Sequence, residues 1–171
     1  GSLPLAILGM AVDDRGRLFL AGMGLLKWGD PTTIRSDDGG ATFQVVPIVG
    51  NDKHVDLSLA YAFLEASDGS MYASVWVHGE FEKTDVFRST DGATLRWTSK
   101  IPGEWWDDRV MTFVEAGGTV YAGVATNEDG DIVFTTRNGG AAWTTTGSLL
   151  PAREVFDLAT LADGTIAAAT G

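Results

Sequence analysis

The sequence predicts an all-β chain built from repeated four-stranded antiparallel sheets, and three observations carry that reading. Apolar residues alternate in short runs bounded by glycine turns, and helical periodicity is sustained nowhere. One strand–turn–strand pattern recurs four times. A second, polar pattern that ends on an aromatic recurs three times between those copies.

The first pattern is GRLFLAG (16–22), GSMYASV (69–75), GTVYAGV (118–124) and GTIAAAT (164–170), with leading glycines 53, 49 and 46 residues apart. Each copy follows another apolar run: LAILGMAV, LAYAFLEA, VMTFVEA or VFDLATLA. Turn signals such as Ser67-Asp68-Gly69 and Ala162-Asp163-Gly164 stand between run and copy, so each pair reads as two strands in a tight hairpin. The second pattern is TIRSDDGGATF (33–43), VFRSTDGATLRW (86–97) and VFTTRNGGAAW (133–143). A short β-type run enters a polar glycine turn and resumes at an aromatic, which supplies a third and a fourth strand. A four-stranded meander of nearly fifty residues has the strand count and period of a β-propeller blade. The expectation is one partial propeller domain over 1–171: three four-stranded antiparallel blades plus the first two strands of a fourth. The units fall at about 3–49, 55–102, 108–149 and 153–171.

At the polar turns the sequence resembles the Asp-box, or BNR, repeat of sialidases and other propeller families, Ser-x-Asp-x-Gly-x-Thr-Trp/Phe. Ser36, Asp38, Gly40, Thr42 and Phe43 fit it throughout. Ser89, Asp91 and Trp97 fit with one residue inserted before the tryptophan, and Thr136, Asn138, Gly140 and Trp143 fit with two softened substitutions. The residue types explain themselves as a turn clasp: Asp or Asn accepts from backbone N–H groups just ahead, and glycine supplies the left-handed backbone. The aromatic is expected to pack between neighbouring sheets. The resemblance implies the same structural role, on the face opposite the sialidase active site.

Composition narrows the partners. The chain has 171 residues, with Lys+Arg 12 against Asp+Glu 23 and a net charge of −11. Nucleic-acid binding needs clustered cations to displace counterions from phosphates, and an anionic membrane surface makes the same demand, so neither partner is expected. Without cysteine there is no disulfide or thiolate site, and the compartment stays open. No apolar run has the length of a bilayer span. Gly1-Ser2 reads as a tag scar, which leaves a trimmed signal peptide and an extracytoplasmic location open.

With strands named A to D outward from the axis, the A–B and C–D turns share one rim, and the D–A and B–C loops share the other. The second rim carries the long, charged, aromatic segments, and loops on rigid scaffolds commonly hold function. GLLKWGDP (24–31), VHGEFEKTD (77–85) and TNEDGD (126–131) are its B–C loops; VGNDKHVD (49–56), PGEWWDDR (102–109) and LLPARE (149–154) are its D–A loops. The candidate ligand residues there are Trp28, His78, Glu80, Glu104, Trp105, Trp106, Asp107, Asp108 and Arg109, since indoles beside carboxylates suit sugar rings and their hydroxyls. Packing between blades is the competing use of the tryptophans.

No cofactor and no metal are expected. Asn127, Asp129 and Asp131 alternate like the start of a calcium loop but lack its closing glutamate. His54 and His78 lie on different units without a third ligand, and Gly22-Met23-Gly24 lacks the third glycine of a dinucleotide site.

The reading is a non-catalytic scaffold that binds a glycan or protein ligand over the loop rim and closes a ring by self-association, as a dimer, unless it is a fragment of a longer propeller. The alternative is a glycoside hydrolase using rim carboxylates such as Asp107 and Glu80. Against a sialidase, no Phe-Arg-Ile-Pro stretch occurs, Arg35, Arg88 and Arg137 belong to the polar turns, and Tyr61, Tyr72 and Tyr121 lie within strands.

Overall fold

A computed structural model of the chain describes residues 6–23, 31–50, 58–77, 83–99, 101–102, 109–126, 132–147 and 154–171. Every regular element among them is a strand. The first sheet runs, in order, β1 (Ala6–Val12), β2 (Leu18–Met23), β3 (Pro31–Ser36) and β4 (Gln44–Val45). The second contains β5 (Ile48–Val49), β6 (Ser58–Glu65), β7 (Met71–Val77), β8 (Lys83–Ser89) and β9 (Leu95–Trp97) in the order β5-β9-β8-β7-β6. The third is β10 (Arg109–Ala116), β11 (Thr119–Ala125), β12 (Val133–Thr136) and β13 (Thr144–Thr145), and the last is β14 (Val155–Thr160) with β15 (Ile166–Thr170). β1 packs on β6, β6 on β10 and β10 on β14, so the first strand of each sheet converges on a common side. This radial stacking of antiparallel meanders is the propeller arrangement.

Two features go beyond the expected pattern. β5 is a fifth strand on the second sheet, pairing parallel with β9, and the Leu95 N–H donates to the Pro47 carbonyl at 2.9 Å. The chain leaving the first sheet therefore covers an edge of the second, which would otherwise present unpaired backbone groups. The other is a bulge at one place in all four first strands, between Ile7 and Gly9, Ala60 and Ala62, Val110 and Thr112, and Val155 and Asp157. A bulge bends its strand and increases local twist, as strands crowded together require.

The core lies between successive sheets. Phe19 and Ala21 of the first meet Met71, Ala73, Val75, Phe87 and Leu95 of the second. Tyr72 and Val86 of the second meet Val110, Phe113, Val120, Ala122, Phe134 and Trp143 of the third. Val155 and Leu158 of the last sheet join Ile132, with Val114 and Tyr121 alongside. Each large apolar side chain so buried stabilises by roughly 1.5–3 kcal/mol over its exposed state.

Register shows which residues share a face. Phe63, Ala73, Phe87 and Trp97 stand opposite one another across the second sheet, and the row packs against the first. In the third sheet the row is Phe113, Ala122, Phe134 and Thr145, of which the first three are buried against the second. The corresponding row in the first sheet is Met10, Leu20, Ile34 and Val45, with no preceding sheet among the described residues. Met10 is 68% exposed and Val45 53%, and Ile7, Leu8 and Val12 are exposed beside them.

Candidate functional site

Of the candidate ligand residues, Trp28, His78, Glu80, Glu104, Trp105, Trp106, Asp107 and Asp108 lie outside the described residues, as do His54, Asn127, Asp129 and Asp131. Arg109 is described. It opens β10 opposite Ala125, with its side chain exposed, at the end of the strand away from the glycine turns.

The opposite rim is fully described at its C–D turns. The Ser36 hydroxyl donates to Asp38 Oδ1 at 2.7 Å and accepts the Gly40 N–H at 2.8 Å, while the Thr42 N–H and hydroxyl donate to the two Asp38 carboxylate oxygens at 2.8 and 2.6 Å. In the second turn Ser89 donates to Asp91 Oδ1, which also accepts the Ala93 N–H at 2.7 Å. In the third, Thr136 donates to Asn138 Oδ1, which also accepts the Ala142 N–H. Gly39 and Gly40 take φ of 69° and 95°, in the left-handed region open to glycine. These donors draw the Asp38 pKa down to about 2, the Thr42 hydroxyl most strongly, and hold Asp91 below the usual carboxylate range, led by the Ala93 N–H. A carboxylate engaged in this way orders a loop and is a poor proton donor at neutral pH.

The aromatics part company here. Ten residues separate Phe87 from its partner Trp97, whereas eleven separate Ile34 from Val45 and Phe134 from Thr145. The second turn is therefore one residue shorter, and Leu95, not Trp97, takes the register position of Phe43 and Trp143. Leu95 and Trp143 are buried against the preceding sheet, at 2% and 5% exposure, but Phe43, which has no such sheet beside it among the described residues, is 40% exposed.

Sheets are clasped to one another along this rim. Glu65 accepts the Asp14 N–H at 2.8 Å, and Glu115 accepts the Ser67 hydroxyl at 2.7 Å, each glutamate reaching back to the preceding hairpin. Arg17 and Arg35 reach forward and donate to the Asp91 and Gly92 carbonyls, both at 2.7 Å. Among the described residues Asp13, Asp14 and Glu65 come nearest to a cation site. Asp13, however, is taken up by Arg17 Nε at 2.6 Å and by N–H groups of its own turn. Burial first, then the neighbouring Asp14 and Asp13, pushes the Glu65 pKa up.

Between the second and third C–D turns lies a cleft of about 390 Å³. Arg88 and Arg96, directly opposite each other on β8 and β9, line it with Asp91, Thr94, Asn138 and Gly139. Arg88 is held by Ser70, by Asp68 and over the Tyr72 ring. Arg96 is exposed and makes no ion pair among the described residues.

No family model matches the sequence, and no curated protein does. Solved structures do. The chain is similar to a Hadza microbial sialidase, with TM-score 0.61 and 18% identity over 82% of this chain and 32% of that one. It is also similar to a gluconolactonase from Xanthomonas campestris, with TM-score 0.65 and 19% identity over 96% and 56%, and to a GH74 enzyme from Niastella koreensis, with TM-score 0.60 and 16% identity over 96% and 26%. The chain thus spans between about a quarter and just over half of these structures. At such identities the likeness establishes the propeller fold alone.

Proposed function

We propose that the chain is a non-catalytic propeller scaffold of BNR/Asp-box type that completes its ring with a second copy and binds a glycan or protein ligand over the D–A and B–C loop rim. The observation that carries the reading is the Met10, Leu20, Ile34 and Val45 row, in which Met10 and Val45 are exposed, while Ala73 and Phe87 of the second sheet and Phe113, Ala122 and Phe134 of the third are buried against the sheet before them. Exposed apolar residues of this kind mark interaction surfaces, and a sheet of the same repeat would be a matching cover. At the other end β14 and β15 present Phe156, 50% exposed, and Ala167 and Ala169. A two-fold pairing that sets each copy's last sheet against the other's first would cover both faces at once.

The repeat type is supported by the serine, aspartate and threonine bonds of the turns, and the engagement of Asp38 with its own loop supports a structural role for that carboxylate. Sugars are the first ligands to test, because the similar structures include a sialidase and a GH74 enzyme. The same likeness is what favours the second reading, a glycoside hydrolase acting through Asp107 and Glu80. A glycan array run beside a fluorogenic glycoside panel separates the two. The scaffold predicts binding without turnover, weakened by about five- to a hundredfold in Trp105→Ala or Trp106→Ala, the loss typical of a contact aromatic. Turnover abolished by Asp107→Asn would replace it with the hydrolase.

A further inference from the structure

The cleft between the second and third C–D turns lies on the rim opposite the loops and is independent of the reading above. The geometry points to a site for a small polyhydroxylated carboxylate, a single sugar-acid unit, held by Arg88 and Arg96. The first ground is a comparison among the repeats. At the same register position the first sheet pairs Arg35 with Gln44 and the third pairs Thr135 with Thr144; the second alone sets arginine against arginine. Like charges directly opposite on neighbouring strands destabilise a sheet, so strand pairing alone gives no reason for the second guanidinium.

The second ground is where that charge sits. Residues alternate across a strand, so while Leu95 and Trp97 pack toward the first sheet, Arg96 points toward the third and into the cleft. Ser70 and Asp68 hold Arg88, and its NH1 reaches over Gly139, where a Cβ would stand 2.6 Å away. One guanidinium is thus fixed, and its neighbour has no ion pair among the described residues. Both guanidinium groups line the cleft, and a guanidinium presents paired N–H donors that suit a carboxylate.

The remaining walls decide between a bare anion and a sugar acid. Thr94 and Asn138 offer hydroxyl and amide groups, and the volume falls within the range of about 300–1,000 Å³ usual for small-molecule sites. Asp91, whose Oδ1 is taken up by Ser89 and the Ala93 N–H, has its second oxygen left to accept a hydroxyl hydrogen bond and repels a second negative charge. With a net charge of −11 the whole molecule disfavours polyanions, which leaves a ligand with one carboxylate among hydroxyls.

The test is a titration of the isotope-labelled protein with sodium glucuronate, following the arginine Nε–H signals by NMR, with glucose and acetate as parallel arms. Glucuronate is expected to shift the Arg88 and Arg96 signals saturably below about 10 mM, an affinity of a few kcal/mol. Glucose and acetate should bind at least about tenfold more weakly. Arg96→Gln should lose about tenfold or more in affinity with its spectrum otherwise native and its melting temperature unchanged or raised, whereas Arg15→Gln, on the first hairpin turn, should bind as the parent does. Equal binding of glucose would overturn the role of the arginines, and equal binding of acetate would reduce the site to an adventitious anion contact. Absence of a saturable shift, or an Arg96→Gln protein that binds normally, would remove the site altogether. An Arg96→Gln protein that melts earlier would show that Arg96 serves the fold.

Discussion

Asp38 sits at the surface, yet the Thr42 hydroxyl, the Thr42 N–H and the Ser36 hydroxyl keep its pKa at about 2. Asp68, held mainly by the Ser70 hydroxyl, Asp91 by the Ala93 N–H and Asp163 by the Thr165 N–H are lowered as well. A carboxyl whose folded pKa lies below its unfolded value of about 3.9 contributes stability that is complete above that value and is lost as pH falls through the folded one. Glu65 has the opposite sign, because its pKa is raised, and its protonation offsets part of the loss on the way down. Calorimetry should therefore show a melting temperature nearly level from neutral pH to about pH 4 and falling steeply toward about pH 2. Asp38→Asn should shallow that fall, since an amide oxygen serves in the third turn already, and Asp38→Ala should melt earlier at neutral pH. An Asp38→Ala protein that melts like the parent would show that the clasp does not hold the turn.

At the scale of the elements, the alternating runs and glycine turns were enough to place the strands, because period-two alternation and left-handed glycines are local signals. The bulges at Leu8, Tyr61, Met111 and Phe156 were not legible, since no residue type marks them; they arise where strands crowd together. β5 was missed for a related reason: two residues, Ile48 and Val49, carry no periodicity, and their partners are Leu95 and Arg96, far along the chain. The arginine cleft depends on a turn one residue shorter than its relatives, so it emerges only from pairing register. The candidate ligand residues of the loop rim other than Arg109 lie outside what the structure describes. The fifth strand has a measurable consequence, because the Leu95 amide donates to Pro47 while Phe43, at the same register in the first sheet, has no such strand beside it among the described residues. Hydrogen exchange should be slower at Leu95 than at Phe43 by on the order of a hundredfold. Equal rates would mean that β5 is not formed in solution.

Over the whole molecule, the apolar row of the first sheet and the outer face of the two-stranded last sheet pose one physical problem at two places. Interior rows such as Phe63, Ala73, Phe87 and Trp97 are covered by a neighbouring sheet, whereas the corresponding row of the first sheet leaves its two ends, Met10 and Val45, exposed, with Leu20 half-buried and Ile34 buried between them. In the proposed dimer a second copy would supply a face of the right kind, and two-fold closure would leave neither end open. Light scattering on size-separated protein at micromolar concentration tests this most directly. The account predicts a particle of twice the 18.1 kDa chain mass, reduced to a single folded chain by Met10→Asp with Val45→Asp. A well-folded monomer of the unaltered chain at that concentration would contradict it.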